Sequence, residues 1–291
     1  LAGGGNKTRK LEFLVGAALA AGADTLVTQG AVQSNHVRQT IAAAAKFGLA
    51  CEVILEERVA TNAIDYQGSG NVLLDHLLGG KSRRVPAGSD MNAALEQVAE
   101  EIRAKGGKPY VIPGGGSNTI GALGYVDCAL ELVRQADAQG LKIDRIVTAT
   151  GSAGTHAGLV AGLALAGADI PVLGIGVRAP KETQEANVHK LAVATAEMLG
   201  HGDRVTREMT VADCDYVGEG YGLVDEAVIE ALKLAARTEG LLLDPVYSGK
   251  AMKGLIALAQ QGMFKGETVV FLHTGGAQGL FGYHSVLEGH L

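Results

Sequence analysis

Apolar positions along this chain fall into two alternating kinds of run. Short stretches centred on apolar residues, which read as strands, occur at residues 24–29, 50–55, 109–112, 145–149, 172–177 and 268–272, with a weaker one at 83–86. Between them apolar residues return every three to four positions, the period of a helix with one buried face. The first such stretch places Leu11, Leu14, Val15, Ala18 and Leu19 on one side. Others run over 35–47, 70–78, 91–104, 119–138, from about 154 to 165, over 183–199 and 225–238, and from near Ser248 onward. Ser89 and Asp90 offer an N-cap to the helix at 91–104. Strands alternating with helices of this length predict α/β architecture: open, twisted, largely parallel sheets flanked by helices and built from βαβ units.

In such sheets ligands bind beyond the carboxyl ends of the strands. Four loops meet that rule: QSN at 33–35, GGGSN at 114–118, TGSAGT at 150–155 and HTGG at 273–276.

Composition narrows the classes. The 291 residues are 47% hydrophobic, enough for a large core and a soft prior of two domains. Aromatics are 4%, Trp is absent and Gly numbers 42, which suits close helix–sheet packing and many functional turns. A net charge of -6 without a basic stripe argues against nucleic acid as a partner. Cys51, Cys128 and Cys214 lie far apart, with no CxxC pair, which argues for a reducing compartment and against a zinc site. No apolar run reaches membrane-spanning length. No signal peptide is visible, and the chain opens at Leu1 already inside a motif, so further upstream residues are expected.

Chemistry concentrates in the loops. Lys7 sits in GGGNKTRK, a glycine turn running into a helix start. The positive end of a helix dipole gives a cation no advantage and favours a neutral, nucleophilic amine, as a Schiff-base lysine requires. The alternative is a solvated lysine in a basic first turn beside Arg9 and Lys10. Residues 150–155 leave a strand and open a helix, so Gly151, Ser152, Ala153, Gly154 and Thr155 offer N–H groups and two hydroxyls to a phosphate. The loop equally reads as a tight packing turn. It is neither a Walker loop nor a dinucleotide fingerprint. Ser34 and Asn35 either cap a helix or offer a hydroxyl and an amide to a carboxylate, and no GxSxG elbow supports a Ser-His-Asp hydrolase. Tyr247 and Ser248 open a helix in DPVYSGK, where Tyr247 either packs or faces a ligand, and Thr274 follows an apolar strand. A lysine for an aldehyde, a phosphate cup and a hydroxyl-lined ring pocket together describe a pyridoxal phosphate enzyme.

The motifs GGNKTRKLEFL, QGAVQSNHVRQT, IPGGGSNTIGALGYV, TGSAGTHAGL, GEGYG, LLLDPVYSGKAMKGLI and FLHTGGAQGLFGY resemble the fold type II pyridoxal-phosphate enzymes related to tryptophan synthase β. Within that family they are similar to the branch of D-cysteine desulfhydrase, L-cysteate sulfo-lyase and 1-aminocyclopropane-1-carboxylate (ACC) deaminase, over essentially the whole chain. The resemblance implies pyridoxal 5'-phosphate as cofactor, with Lys7 as the Schiff-base lysine and Asn35 bonded to the ring oxygen. Gly151 to Thr155 would hold the phosphate, and Ser34 with the amides around Asn35 and His36 the substrate carboxylate. Tyr247 stands beside the ring and Tyr221 faces the substrate. In the deaminase a glutamate follows the tyrosine of DPVY and meets the pyridine nitrogen, and HLGG stands where this chain has HTGG. Ser248 occupies the glutamate's place here, with Thr274 as the second candidate partner of the ring nitrogen. A neutral hydroxyl weakens the electron sink, which disfavours opening a cyclopropane and suffices for β-elimination.

Wording outside the site, such as GSGNVLLDHL, SDMNAALEQVAEE and GVRAPKETQEANV, looks most like L-cysteate sulfo-lyase. The expected reaction is α,β-elimination from a small amino acid, with Lys7, or Ser34 as relay, taking the α-proton and Tyr247 and Tyr221 tending the leaving group. Sulfite or sulfide, pyruvate and ammonia are the products. Arg178 or Lys181 are candidates for a sulfonate. The expected division places residues 1–19 and 123–291 in a large cofactor-binding domain and 20–122 in a smaller inserted one. A cytoplasmic homodimer without nucleic-acid, membrane or metal partners is expected. The non-enzymatic alternative is a sensor of a phosphate ligand on the same scaffold.

Overall fold

Six of the seven positions of β1 (Thr25–Ala31) are buried, the polar Thr25, Thr28 and Gln29 among them, as in a strand covered on both faces. The computed structural model describes residues 1–291. They form two units, Leu1–Gly116 with Gly276–Leu291, and Ser117–Gly275.

The first unit runs α1 (Lys7–Ala20), β1, α2 (Asn35–Phe47), β2 (Ala50–Glu57), α3 (Ile64–Gly68), α4 (Gly70–Leu77), β3 (Lys81–Pro86), α5 (Met91–Ala104) and β4 (Pro109–Val111). Its sheet is parallel throughout, in the order β3-β2-β1-β4. Val27 and Ile54 of the sheet pack on Leu95, Val98 and Ile102, the apolar face of α5. Asp90 starts that helix by accepting from the N–H groups of Asn92 and Ala93.

The second unit comprises α6 (Thr119–Gln139), β5 (Arg145–Thr150), α7 (Gly154–Ala166), β6 (Val172–Gly176), α8 (Lys181–Met198), β7 (Val211–Asp213), α9 (Glu226–Glu239), α10 (Ser248–Gln260) and β8 (Val269–Leu272). Its sheet repeats the pattern in parallel, in the order β7-β6-β5-β8. Helices α6, α7 and α8 share one core cluster, and Val147, Leu173 and Ile175 meet Ala251 and Leu258 of α10 in another. Helix α7 needs glycine at two positions one turn apart. A Cβ on Gly158 would lie 2.4 Å from the Ala122 carbonyl oxygen, and one on Gly162 would lie 2.7 Å from that of Val126. The two helix backbones approach as closely as glycine allows.

Each sheet reverses its strand order once, beside its first strand. That switch point lies between β1 and β4 in the first unit and between β5 and β8 in the second, and such points are where open α/β sheets bind ligands. The four loops singled out from the sequence are the loops that follow these four strands.

The expected partition differs from this one at both chain ends. Helix α1 joins the first unit because Thr8 of α1 donates from N–H and Oγ1 to Gln39 Oε1 of α2, at 3.0 and 3.2 Å. Residues 276–291 join it because Tyr283 stacks edge-on against Tyr66 at 5.4 Å, and Asp65 accepts from Ser285 N and Oγ at 2.7 and 3.0 Å. The short α3, the three-residue β7 and the 3₁₀ run Ala277–Tyr283 were not expected from periodicity, which needs longer windows to register.

Asp75 on α4 is 2% exposed and neither carboxylate oxygen has a hydrogen-bond partner. Burial pushes its carboxyl up to about 8, against the pull of Arg38. The unfolded chain therefore releases this proton at ordinary carboxylate pH while the folded chain keeps it. Relative to Asp75→Asn, the wild type should lose stability as pH rises from about 4 to 8, by at most about 1.4 kcal/mol per pH unit. Urea unfolding of both proteins across that range checks this, and parallel stability curves would show Asp75 ionised in the fold.

Candidate active site

In the first unit the end of β1 and the start of α2 are set by Gly30, whose Cβ would lie 2.4 Å from Ser34 Oγ. Ser34 is the N-cap, and its Oγ accepts from Val37 N at 3.2 Å. The capping reading is thus correct, and it leaves the hydroxyl proton uncommitted. The N–H groups of Asn35 and His36, in the first turn of α2, have no acceptor within the chain, as expected of helix starts. A hydroxyl and two amides on a helix dipole suit a carboxylate.

Asn35 is oriented by its neighbours. Its Oδ1 accepts from Arg38 at 2.9 Å and from Asn71 Nδ2 at 3.0 Å. Because arginine only donates, the amide oxygen must face it, and the Asn35 NH2, which has no partner in the chain, is left to donate elsewhere. That is the group an anionic ring oxygen would require. Arg38 is completely buried and also donates to Asn71 Oδ1 and, at 2.8 Å, to the Gly4 carbonyl. It fastens the glycine turn before Lys7 to the same network. Lys7 opens α1, and its Nζ donates to Asn6 Oδ1 at 3.1 Å.

Two buried bases adjoin this network. Lys10 is 1% exposed and donates to the Gly115 carbonyl at 3.0 Å; burial, and then Lys7, hold its amine well below the usual lysine range. His36 Nε2 lies 2.8 Å from Thr28 Oγ1, which itself donates to the Ile112 carbonyl at 2.8 Å. The single hydroxyl proton is spent there, so Nε2 carries the imidazole proton. Burial, followed by Lys7 and Lys10, keeps His36 well below its ordinary value. His36 is neutral and adds no charge of its own to this network.

In the second unit Gly154 N donates to Ser152 O at 3.0 Å and to Ser117 Oγ at 3.1 Å. Ala153 between them has φ 72° and ψ -36°, a γ-turn of the strained hand that costs on the order of 1–3 kcal/mol in a non-glycine residue. The N–H groups of Ser152, Ala153 and His156 find no acceptor in the chain. Ser117 also donates to Ser152 Oγ at 2.9 Å, so the GGGSN loop buttresses this turn. Behind it Thr150 Oγ1 receives Gln184 Nε2 at 2.8 Å and faces His156 Nδ1 at 3.3 Å; burial brings His156 down to about 4. Unpaired N–H groups over a helix start, with no cation among them, fit a phosphate bound by dipoles.

Asp244, fully buried, orders the start of α10. Oδ1 accepts from Val246 N and Tyr247 N at 2.9 and 2.7 Å, and Oδ2 from Ser248 N and Oγ at 3.1 and 2.8 Å. The Ser248 hydroxyl also accepts from Asp244 N at 2.8 Å, and its proton is taken up within the chain by Asp244 Oδ2 at 2.8 Å, with the Gly275 carbonyl as a second acceptor at 3.3 Å. The Thr274 hydroxyl has no partner in the chain. Tyr221 and Tyr247 meet hydroxyl to hydroxyl, with ring centroids 5.8 Å apart at 71°. Lys250 of α10 donates to the Val217 and Gly220 carbonyls at 2.6 Å each, and burial lowers its amine to about 8. Arg178 and Lys181 are exposed.

Sequence reasoning missed Arg38, Asn71 and Lys250, and reached Ser117 only as part of the GGGSN loop. Only Ser117 had a signal, its place in a glycine loop beyond a strand.

The family described as pyridoxal-phosphate dependent enzyme matches residues 1–275. A solved structure described as an ACC deaminase homologue is 40% identical, with TM-score 0.89, covering 99% of this chain and 85% of its own. O-ureido-L-serine synthase shares the fold at 19% identity and TM-score 0.66, covering 98% of this chain and 85% of its own. With the family matched over residues 1–275 and a 40% identical relative covering 99% of the chain, the chain belongs to the pyridoxal-phosphate-dependent enzymes of fold type II.

Proposed function

We propose that this enzyme is a lyase that eliminates a sulfur-containing group from Cβ of a three-carbon amino acid. L-cysteate is the preferred substrate, giving pyruvate, ammonia and sulfite. When bound, the cofactor supplies the electron sink for charge developing at Cα. Lys7 is the lysine that attaches it and the base that carries the α-proton, with the Ser34 hydroxyl as relay. The Asn35 NH2 donates to the ring oxygen, and the 151–155 loop holds the phosphate. Ser34 Oγ and the N–H groups of Asn35 and His36 bind the substrate carboxylate. Tyr221 and Tyr247 position the leaving group, or donate a proton to it as the Cβ–S bond breaks.

The observation that carries this reading is the chemistry around Ser248. The two candidate partners of the ring nitrogen, Ser248 and Thr274, are neutral hydroxyls. The nearby carboxylate, Asp244, is consumed by three backbone N–H groups and the Ser248 hydroxyl. A ring nitrogen met by a hydroxyl stays unprotonated and makes a modest sink. That is adequate when Cβ carries a good leaving group and poor when a carbon–carbon bond must open. Of the two, Thr274 has the uncommitted hydroxyl. A second reading, ACC deamination, is favoured by the relative described as an ACC deaminase homologue.

A sulfonate is a full anion at neutral pH, whereas a thiol is mostly protonated. A sulfo-lyase therefore needs a second anion site near Cβ, for which loop 114–118, Tyr221 and Arg178 are the candidates. Steady-state rates on L-cysteate, D-cysteine, L-cysteine and ACC test the proposal. Sulfite release from L-cysteate is expected to exceed the other three rates. Faster sulfide release from D-cysteine would make the enzyme a D-cysteine desulfhydrase, faster ammonia release from ACC a deaminase, and no turnover at all a ligand sensor.

A further inference from the structure

Helix α10 presents Tyr247 and grips the segment that carries Tyr221. Tyr247 is its N-cap residue. One turn in, Lys250 is completely buried, and its Nζ bridges the carbonyls of Val217 and Gly220, which flank the turn leading to Tyr221. One further turn on, Lys253 Nζ meets Asp225 Oδ2 at 2.6 Å, while Asp225 Oδ1 caps α9 by accepting from Val228 N at 2.9 Å. Between β7 and α9 the chain has no regular structure, so these two lysines fasten both sides of the stretch holding Tyr221.

Lys250 is an expensive way to do this. Burying an ammonium forfeits its hydration, and two carbonyls replace only part of it. A leucine would pack at the same place without that penalty, but it could not fix the direction of a glycine turn. Gly218 and Gly220 have φ of 71° and 159°, so the turn has conformational freedom that side-chain packing alone does not remove. The two 2.6 Å bonds remove it, one on each side of Glu219. The outcome is that the Tyr221 and Tyr247 hydroxyls meet.

We infer that Lys250 is a positioning residue that sets the Tyr221 hydroxyl against that of Tyr247. Its effect on turnover rests on the reading that these tyrosines face the leaving group; its effect on their geometry does not. The test uses the full chain loaded with pyridoxal phosphate, as wild type, Lys250→Met, Lys250→Gln, Lys250→Arg, Tyr221→Phe and Lys250→Met/Tyr221→Phe. Pyruvate release from L-cysteate or D-cysteine, whichever is faster, is measured alongside near-ultraviolet circular dichroism. The chain has seven Tyr and no Trp, so tyrosine signals there have no indole overlap.

Lys250→Met should lower kcat about 10- to 100-fold with KM changed less than about threefold, the pattern of a group acting in the transition state. The double variant should be no slower than the slower single one, because both changes disable the same pair. Lys250→Met should change the tyrosine dichroism as Tyr221→Phe does, and Lys250→Arg should restore part of both readouts. If Lys250→Met does not fold, Lys250→Gln, which keeps N–H donors but is shorter and uncharged, takes its place in each comparison. Multiplicative losses in the double variant, or tyrosine dichroism unchanged by loss of the ammonium, would overturn the inference. If Tyr221→Phe leaves turnover intact, the tyrosines' assignment to the leaving group fails, while the dichroism still decides the role of Lys250.

Discussion

Lys7→Ala is expected to bind pyridoxal phosphate without attaching it, and to lose turnover by roughly 10⁴-fold or more, the scale on which removing a nucleophile or its base acts. The loss combines two functions in one amine, the covalent tether and the carrier of the α-proton. The competing assignment is Lys10, three residues on and almost wholly buried, with an amine that burial holds well below the usual range. Geometry separates them. Lys10 Nζ is turned to the Gly115 carbonyl, whereas Lys7 follows directly on the turn that Arg38 ties to Asn35. Borohydride reduction of the loaded enzyme followed by peptide mapping should mark Lys7. A mark on Lys10 or Lys250 would overturn the assignment, and an alanine variant that keeps the visible band of attached cofactor would do the same.

Gly154→Asp should weaken cofactor binding by at least ~2–3 kcal/mol, or about 30- to 150-fold, through repulsion of the phosphate and lost charge-assisted bonds. The sign of its effect on folding is the opposite. Gly154 is the first residue of α7 and is not among the positive-φ glycines, so an aspartate there is not strained by its backbone angle. A carboxylate in a first helical turn gains about 0.3–1 kcal/mol from the dipole. Cofactor titration should therefore show the defect while unfolding of the cofactor-free chain shows none. Unchanged affinity for pyridoxal phosphate would remove the loop from the phosphate site.

Much of this arrangement is legible in the sequence because local signals agree with the tertiary ones. The bounds of α5 follow from Asp90 and the apolar spacing behind it, and those of α2 from Ser34. Parallel strands read as short runs centred on apolar residues because helices cover both faces of the second sheet. The loops at the switch points follow from strand order alone. What escapes is side-chain pairing over long separations. Arg38 lies in the first turn of α2, where no motif singles it out, yet it is buried between Gly4, Asn35 and Asn71. Motif position alone put Ser248 first for the ring nitrogen; only the Asp244 network reveals where its proton is spent. Residues 276–291 carry no signal of which unit receives them, since their partners, Tyr66 and Asp65, lie on a helix too short for periodicity to register.

That discontinuity bears on the order in which the protein is made. The second unit, Ser117–Gly275, is contiguous and can complete its core as it leaves the ribosome. The first unit emerges earlier and finishes later, because Tyr66 awaits Tyr283, and Asp65 awaits Ser285. Gln278 also arrives only then, and its Nε2 comes so close to Gly3 that a Cβ there would lie 1.7 Å away. The half of the molecule that holds Lys7 thus waits through synthesis with α3 and α4 uncovered. A released chain truncated after Gly275 should have a protease-resistant second unit and a first unit still open to cleavage around residues 60–75.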